Sequence, residues 1–367
     1  MAFLDSGNRS LHADFADLNI ALVERVANWR PDVIFCVLMH YEIWFDTLDL
    51  IRANSPVLVV NWGTDDSWKF AQASRFFAEH VDLHVTTDDA AAEAALSYGL
   101  RNVLLSQWAS SGAALAEPCE ALECRYDVSF VGSMYGYRGE WISALRDSGI
   151  TVSCFGHGTD NGVVNAAEIP LIYRTSRISL NFSGSGQSSA GAGGRQIKAR
   201  TFEVPGAGGF LLTEAVSGLD RYFDLDREVV TFDTPHELIA KTRYFLDHPQ
   251  ARDNVARAGH ARTRAEHTYD RRFVEILNQL QLLGDTRQTR SWTLSSESLA
   301  DAVVRHRRLG LAKCVRAVLV VLLSAVFGRQ RGPRVARRFI YELSWRLSGA
   351  ATYSSRGLPG RLFYSES

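Results

Sequence analysis

This 367-residue chain is short of close cysteine pairs, of membrane-length apolar runs and of the glycine fingerprint of a dinucleotide site. Its five cysteines (Cys36, Cys119, Cys124, Cys154, Cys314) form no Cys-x-x-Cys pair and no metal-ligand spacing. A zinc ribbon and a disulfide scaffold are therefore not expected, and a reduced, cytoplasmic compartment is. The mostly apolar run Ala317 to Gly328 has twelve residues, short of the roughly twenty that a bilayer span needs. Met1 to Arg9 holds no basic stretch followed by an apolar core, so no secretory leader is expected there. Gly184 to Gly194, GSGQSSAGAGG, is rich in glycine but lacks the spacing of a strand–GxGxxG–helix motif. It reads as a low-complexity mobile loop, with ordering on a ligand and plain disorder both open.

What is present describes an ordinary globular protein, with 46% hydrophobic and 22% charged residues and room for two domains. In the first half, helices are predicted over Leu18 to Trp29, Ile43 to Ala53 and Ala90 to Tyr98, with a loop then a helix over Thr64 to His80. Strands are predicted over Pro31 to Met39, Pro56 to Asn61, Val81 to Thr86 and Asn102 to Leu105. Alternation at this pitch means a parallel sheet.

The second half repeats the alternation. Asp127 to Ser133, DVSFVGS, is a strand opening into a tight loop, followed by Tyr137, Arg138 and a helix over Glu140 to Arg146. Thr151 to Phe155 is the next strand, leading into Gly156-His157-Gly158. Ile169 to Arg174 is a helical turn and Ile178 to Phe182 a strand. Then comes the most informative stretch, Gln196 to Glu214, QIKARTFEVPGAGGFLLTE. Gly206, Gly208 and Gly209 exclude a strand interior and weaken a long helix. A short helix ending at the glycines, with a strand at Phe210 to Thr213, satisfies both constraints. Glu203 then lies at the helix start, where a carboxylate can accept two hydrogen bonds from the vicinal hydroxyls of a ribose. Arg138, at a helix start behind a strand–loop, suits a phosphate; a surface arginine on a solvated helix is the plain alternative. His157, at a strand end, reads either as a ligand contact or as an ordinary loop residue, and Asn181 as a turn former.

This stretch resembles the nucleotide-sugar motif of GT-B glycosyltransferases, most closely the CgeB-like (spore-maturation-like) pattern R-x-F-E-x-x-x-x-G-G-x-x-L-T. Arg200, Phe202, Glu203, Gly208, Gly209, Leu212 and Thr213 match it. The resemblance implies an α/β fold of two Rossmann-like domains: an N-terminal acceptor domain over 1–115, a nucleotide-sugar-binding domain over 125–284, and a basic helical extension over 285–367. It implies transfer from a nucleotide-diphosphate sugar to a glycan, lipid-linked or protein acceptor, with no cofactor and no metal. Gly132, Ser133, Arg138, His157, Lys198, Arg200, Glu203, Gly208 and Gly209 would form the donor site. Retaining enzymes of the fold carry a further glutamate eight positions before the second, where this chain has Arg195. An inverting enzyme would need a base, for which His40, Asp65 and Asp66 at strand ends are the candidates. The first half is short for a GT-B N-terminal domain, since seventeen residues precede Leu18; a late start and a true loss are both open. An epimerase of the same fold and a non-catalytic binding or scaffold protein are the rival classes.

Helices over about Thr234 to Leu246, Gln250 to Arg264 and Tyr269 to Leu283 follow, the last with Phe273, Ile276, Leu277, Leu280 and Leu283 on one face. Thr234 is a candidate N-cap, with Pro235 and Glu237 in the first turn. All three helices read as scaffold. From Thr286 onward the chain changes character, with fifteen Lys and Arg against four acids, against 25 and 37 in residues 1–285. The tail is thus +11 and the body −12. A basic-flanked apolar run with Phe339, Trp345 and Phe363 suits an interfacial helix on an anionic membrane, over residues 290–367. A helical hairpin packed on the body is the equal alternative; nucleic acid is not an expected partner.

Overall fold

Every segment read above as a strand pairs in parallel with its neighbours. The structure, a computed structural model, describes residues 2–38, 40–184, 194–284 and 290–367. Most of the glycine-rich loop, the first four residues of the basic tail, Met39 and the Leu283 side chain lie outside the described residues. The chain divides into two units, one made of residues 1–105 with 278–367 and the other of residues 106–277.

In the first unit, α1 (Phe15–Trp29), β1 (Val33–Cys36), α2 (Phe45–Asn54), β2 (Leu58–Gly63), α3 (Asp66–Lys69), α4 (Arg75–His80), β3 (Leu83–Thr86), α5 (Asp89–Ser97) and β4 (Val103–Leu105) alternate as expected. The four strands lie in sequence order in one parallel sheet. Between α3 and α4 the backbone forms a π-turn, Phe70–Ser74, so the loop then helix expected over Thr64 to His80 is a short loop followed by a near-continuous helix from Asp66 to His80. Buried Asn19 ties α1 to the start of α2: its amide donates to the Phe15 and Glu42 carbonyls, and its oxygen accepts from the Trp44 N–H and the Thr47 hydroxyl. A side chain with no contact before folding gives no periodic signal, and the sequence reading passed over it.

In the second unit, β5 (Tyr126–Val131), α6 (Arg138–Asp147), β6 (Val152–Phe155), α7 (Ile169–Arg174), β7 (Ser176–Asn181), α8 (Arg200–Gly206), β8 (Leu211–Glu214) and β9 (Val230–Phe232) build a five-stranded parallel sheet of order β6-β5-β7-β8-β9. The order reverses between β5 and β7, so the loops after β5 and β7 leave the sheet at its switch point, where open α/β sheets bind ligands. α9 (Pro235–Asp247) starts as its sequence dictates, with the Thr234 hydroxyl accepting from the Glu237 N–H. α10 (Pro249–Glu266) and α11 (Tyr269–Gly284) follow. On α11, Ile276 and Leu280 are buried, whereas Phe273 and Leu277 are exposed, so the apolar face is narrower than its spacing implies.

The described part of the basic tail is largely helical: α12 (Ala300–Arg307), α13 (Ala312–Phe327), α14 (Gly332–Ser348) and α15 (Leu358–Leu362). Leu299, Ala302, Tyr341 and Tyr353 pack into the same hydrophobic core as α1, α2 and β2. Arg305 pairs with Asp46, and Arg307 with Asp14 and Asp17.

One buried guanidinium joins the scaffold helices to the second sheet. Arg252 of α10 is fully buried and donates to the carbonyls of Arg177 (2.7 Å), Ser176 (2.8 Å) and Cys119 (2.8 Å), and to the Asp253 carboxylate at 3.0 Å. Removing one partner from such a set leaves several acceptors dry. Arg252→Met is expected to cost about 3 kcal/mol of unfolding free energy, read from urea denaturation; a loss below about 0.5 kcal/mol would contradict this role.

Candidate functional site

The loop after β5 sets the first half of the site in the second unit. Gly132 hands the chain across β6: its N–H donates to the Phe155 carbonyl at 2.8 Å, and the Met134 N–H to the His157 carbonyl at 2.8 Å. The two loops touch so closely that a Cβ at Gly156, whose φ is +126°, would lie 2.4 Å from the Gly132 carbonyl oxygen. A side chain at Gly156 would push the loops apart. Arg138, at the start of α6, folds back over this loop and is buried. It donates to the Ser133 carbonyl (2.9 Å) and the Tyr135 hydroxyl (2.8 Å), and stacks on the Tyr135 ring at 3.9 Å.

Arg200 opens α8 and enters from the opposite side. Its guanidinium lies 5.8 Å from the Phe130 ring centroid, as does that of Arg138. A Cβ at Gly132 would meet the Arg200 Nη1 at 3.1 Å. Its Nε is fixed by the Asn181 Oδ1 at 3.0 Å, and the Asn181 amide donates to the Thr213 hydroxyl at 2.9 Å. Asn181 is fully buried at the end of β7, so it acts as a strut rather than a turn former. The terminal nitrogens of Arg200 have no hydrogen-bond partner among the described residues. Burial lowers the pKa of Arg138 from its ordinary value, and the like charge of Arg200 adds to this. Two cations share one apolar ring.

Glu203 follows Arg200 by three residues, in the first turn of α8. It is half-buried, with no hydrogen-bond partner for its carboxylate among the described residues. Burial pushes its pKa up, with the Arg200 charge pulling the other way. Tyr173 and Tyr269 stand close enough to feel the Glu203 charge: both phenols are raised, chiefly by burial. The sequence reading did not select these tyrosines, since each sits inside a run that reads as ordinary core. Lys198 lies in the half-buried turn leading into α8.

The structure thus gathers Gly132, Ser133, Arg138, the His157 loop, Arg200 and Glu203 around the sheet's switch point. The His157 side chain itself is exposed. Gly208 and Gly209 belong elsewhere: a Cβ at Gly208 (φ +81°) would meet the Ala116 carbonyl at 2.6 Å, and one at Gly209 the Tyr173 carbonyl at 2.7 Å. They admit the protein's own chain. Arg195 donates to the Ala215 carbonyl (3.0 Å), pairs with Asp233, and approaches the buried Glu214 carboxylate at 3.6 Å. Glu214 in turn accepts from the Tyr137 hydroxyl (2.5 Å) and the Ser183 N–H (2.6 Å).

The three base candidates lie in the first unit, at the ends of β1 and β2. Asp66 points inward and is buried, accepting from the Ser74 hydroxyl (2.5 Å) and paired with the His84 Nε2 (2.9 Å). Burial alone would raise its pKa, but the hydrogen bonds from His84 and Ser74 outweigh this and hold it low. Asp65 is half-buried, with no side-chain hydrogen bond among the described residues. The His40 ring lies 3.0 Å from the Lys69 Nζ. Burial, aided by the Lys69 charge, pushes His40 down to about 3, and burial pushes Lys69 down to about 8. Among the described residues, no group of three or more His, Cys, Asp or Glu is arranged to hold a metal.

Residues 138–278 match the family model described as glycosyl transferase-like. Comparison with curated proteins by sequence gives no match. Solved structures with a similar fold include Anabaena Alr3699/HepE in complex with UDP-glucose (TM-score 0.54, 11% identity, 72% of this chain and 82% of that chain). Sucrose-phosphate synthase from Thermosynechococcus elongatus is alike to the same degree (TM-score 0.54, 10% identity, 75% and 80%). A glycosyltransferase from Rickettsia africae ESF-5 aligns at TM-score 0.50 and 9% identity, over 79% and 85%. At these identities the likeness is one of fold. The chain has the GT-B fold, and most of its second unit matches the glycosyl transferase-like model.

The two adjacent aspartates should part ways on mutation. Asp66→Ala, which strands a buried histidine and serine, is expected to cost about 3 kcal/mol in urea unfolding, whereas Asp65→Ala should stay within about 0.5 kcal/mol. Equal losses would contradict the assignment.

Proposed function

We propose that this protein transfers a sugar from a nucleotide-diphosphate sugar to an acceptor hydroxyl on a glycan, lipid or protein. The observation that carries the reading is the juxtaposition of Arg200 and Glu203. One presents terminal guanidinium nitrogens with no partner among the described residues, the other a half-buried carboxylate in the same state. A diphosphate accepts from the first while the vicinal ribose hydroxyls donate to the second. Arg138 and the start of α6 add positive potential at the same switch point. As the glycosidic bond breaks, negative charge builds on the diphosphate, and cations already in position stabilise it without reorganising. Solved relatives that carry UDP and UDP-glucose support this class of donor. Of the three base candidates, Asp65 is the one left by elimination: Asp66 is consumed internally, and His40 at about 3 is too weak a base.

A second reading, donor binding without transfer, is favoured by one feature. Arg195 stands where retaining relatives of the resembling family have their sugar-contacting glutamate, and its guanidinium is spent on Asp233, Glu214 and the Ala215 carbonyl. Release of sugar to a lysate acceptor fraction separates the two readings: binding with no turnover would favour the second.

Calorimetry with a panel of nucleoside diphosphates and their sugar conjugates tests the donor site. Selective binding is expected, weakened roughly 10- to 100-fold in Glu203→Gln, the worth of hydrogen bonds to a charged group. The folded Glu203 pKa lies above its unfolded value. Its ionisation therefore costs stability at pH above both values, and the cost vanishes as pH falls below the unfolded one. Glu203→Gln should accordingly raise the melting temperature of the empty protein at neutral pH. Wild-type affinity should fall on acidification from above the ordinary glutamate range, and the variant should lack that fall. A wild type that binds none of the panel would overturn the proposal.

A further inference from the structure

α13 is apolar on its packed face and on its exposed face alike. Leu319, Val320 and Leu323 turn inward against Ala336, Ile340, Leu362 and Phe363. On the other side Leu311, Val315, Val318, Leu322 and Val326 recur every three or four residues, so they lie along one face. All are exposed: Leu311 by 84%, Val326 by 74% and Leu322 by 59%. Ala317, Val321 and Ala325 widen this face, and they are exposed too. On α14, Phe339, Leu343 and Leu347 form a second exposed apolar row at four-residue spacing. Solvation explains neither row, since a water-facing helix ordinarily presents polar side chains there.

Charge brackets this surface. Residues 308–347 carry nine Lys and Arg against one acid, Glu342, which pairs with Arg346. Arg308 and Lys313 stand at one end of α13, Arg329 and Arg331 at the other, and Arg334 and Arg338 are exposed on α14. None of the six has an ion-pair partner among the described residues. By contrast Arg305, Arg307 and Arg316 are neutralised by Asp46, Asp14, Asp17 and Glu366. The uncompensated charge of the tail is thus concentrated around the exposed apolar face.

We propose that the α13–α14 hairpin is a monotopic docking surface for an anionic lipid bilayer. α13 would lie in the interfacial plane with its aliphatic face among the acyl chains and the arginines among the headgroups. Charge decides among the possible occupants. A second copy of this chain would bring two cationic fields together, whereas an anionic leaflet complements the rim and supplies apolar depth for side chains with no hydrogen-bonding group. A spanning arrangement does not fit. Among the described residues no single helix is long and apolar enough to cross a membrane. α12, which joins α13 across a 52° bend, packs Ala302 into the core and commits Arg305 and Arg307 to ion pairs.

Full-length protein is sedimented with vesicles of phosphatidylcholine alone or doped with phosphatidylglycerol. The wild type is expected to follow the phosphatidylglycerol vesicles. Val318→Gln with Leu322→Gln, at outward positions that leave the packed face intact, should weaken partitioning roughly tenfold or more, as removal of interfacial apolar area predicts. Arg331→Glu with Arg334→Glu should abolish the preference for the anionic lipid. Unchanged melting temperatures show that the hairpin remains folded. A wild type left in the supernatant with both vesicles would overturn the proposal. So would a solution dimer that the Val318/Leu322 variant converts to monomer without any vesicle binding.

Discussion

The hydrogen bond from the Arg200 Nε to the Asn181 Oδ1, at 3.0 Å, holds together the parts of the second unit on which the proposed donor site rests. Asn181 ends β7, Thr213 lies in β8 and Arg200 begins α8; one buried amide spans all three, because it donates to Thr213 while accepting from Arg200. Fixing the guanidinium at Nε leaves its terminal nitrogens beside Gly132, with no hydrogen-bond partner among the described residues. It also sets the first turn of α8, and hence Glu203. A buried amide with both ends satisfied is rigid, and rigidity lets a cation act on charge that appears only during reaction.

The same arrangement works against the empty protein. Arg138 and Arg200 share the Phe130 ring and repel each other, while Glu203 is desolvated with no hydrogen bond among the described residues. Each group is in a state that an anionic, hydroxyl-bearing ligand would relieve. Local conflict of this kind concentrates where a fold gives up stability for binding. The first unit carries a milder counterpart, in which Lys69 and His40 are forced together and their pKa values fall to about 8 and 3. Asp66 beside them is fully satisfied and belongs to the scaffold.

Much of this was legible from the residues. Parallel strands announced themselves as apolar runs at regular pitch, and α9 started where Thr234-Pro235 required. Glu203 was placed at a helix start by the glycines behind it, correctly, although those glycines serve a different end: Gly208 and Gly209 make way for Ala116 and Tyr173. What sequence could not give were contacts set by three-dimensional convergence. Asn181 as a strut, Tyr173 and Tyr269 beside Glu203, and Asn19 joining two helices all depend on partners far along the chain. The pair Asp65-Asp66 shows the limit sharply, since neighbours of identical chemistry differ in burial and in partners, which only the fold decides. The tail's two candidate readings, a packed hairpin and an interfacial helix, were opposed in sequence. The fold satisfies the first with one face of α13 and leaves the other face bare.

The most direct test of the account is a crystal structure of the protein with a bound nucleoside diphosphate. The account predicts the diphosphate within hydrogen-bond reach of the Arg200 terminal nitrogens and next to Arg138, with both ribose hydroxyls on Glu203. A nucleotide seated away from Arg200 and Glu203 would contradict it, and so would a ribose turned from the carboxylate while the site is otherwise filled.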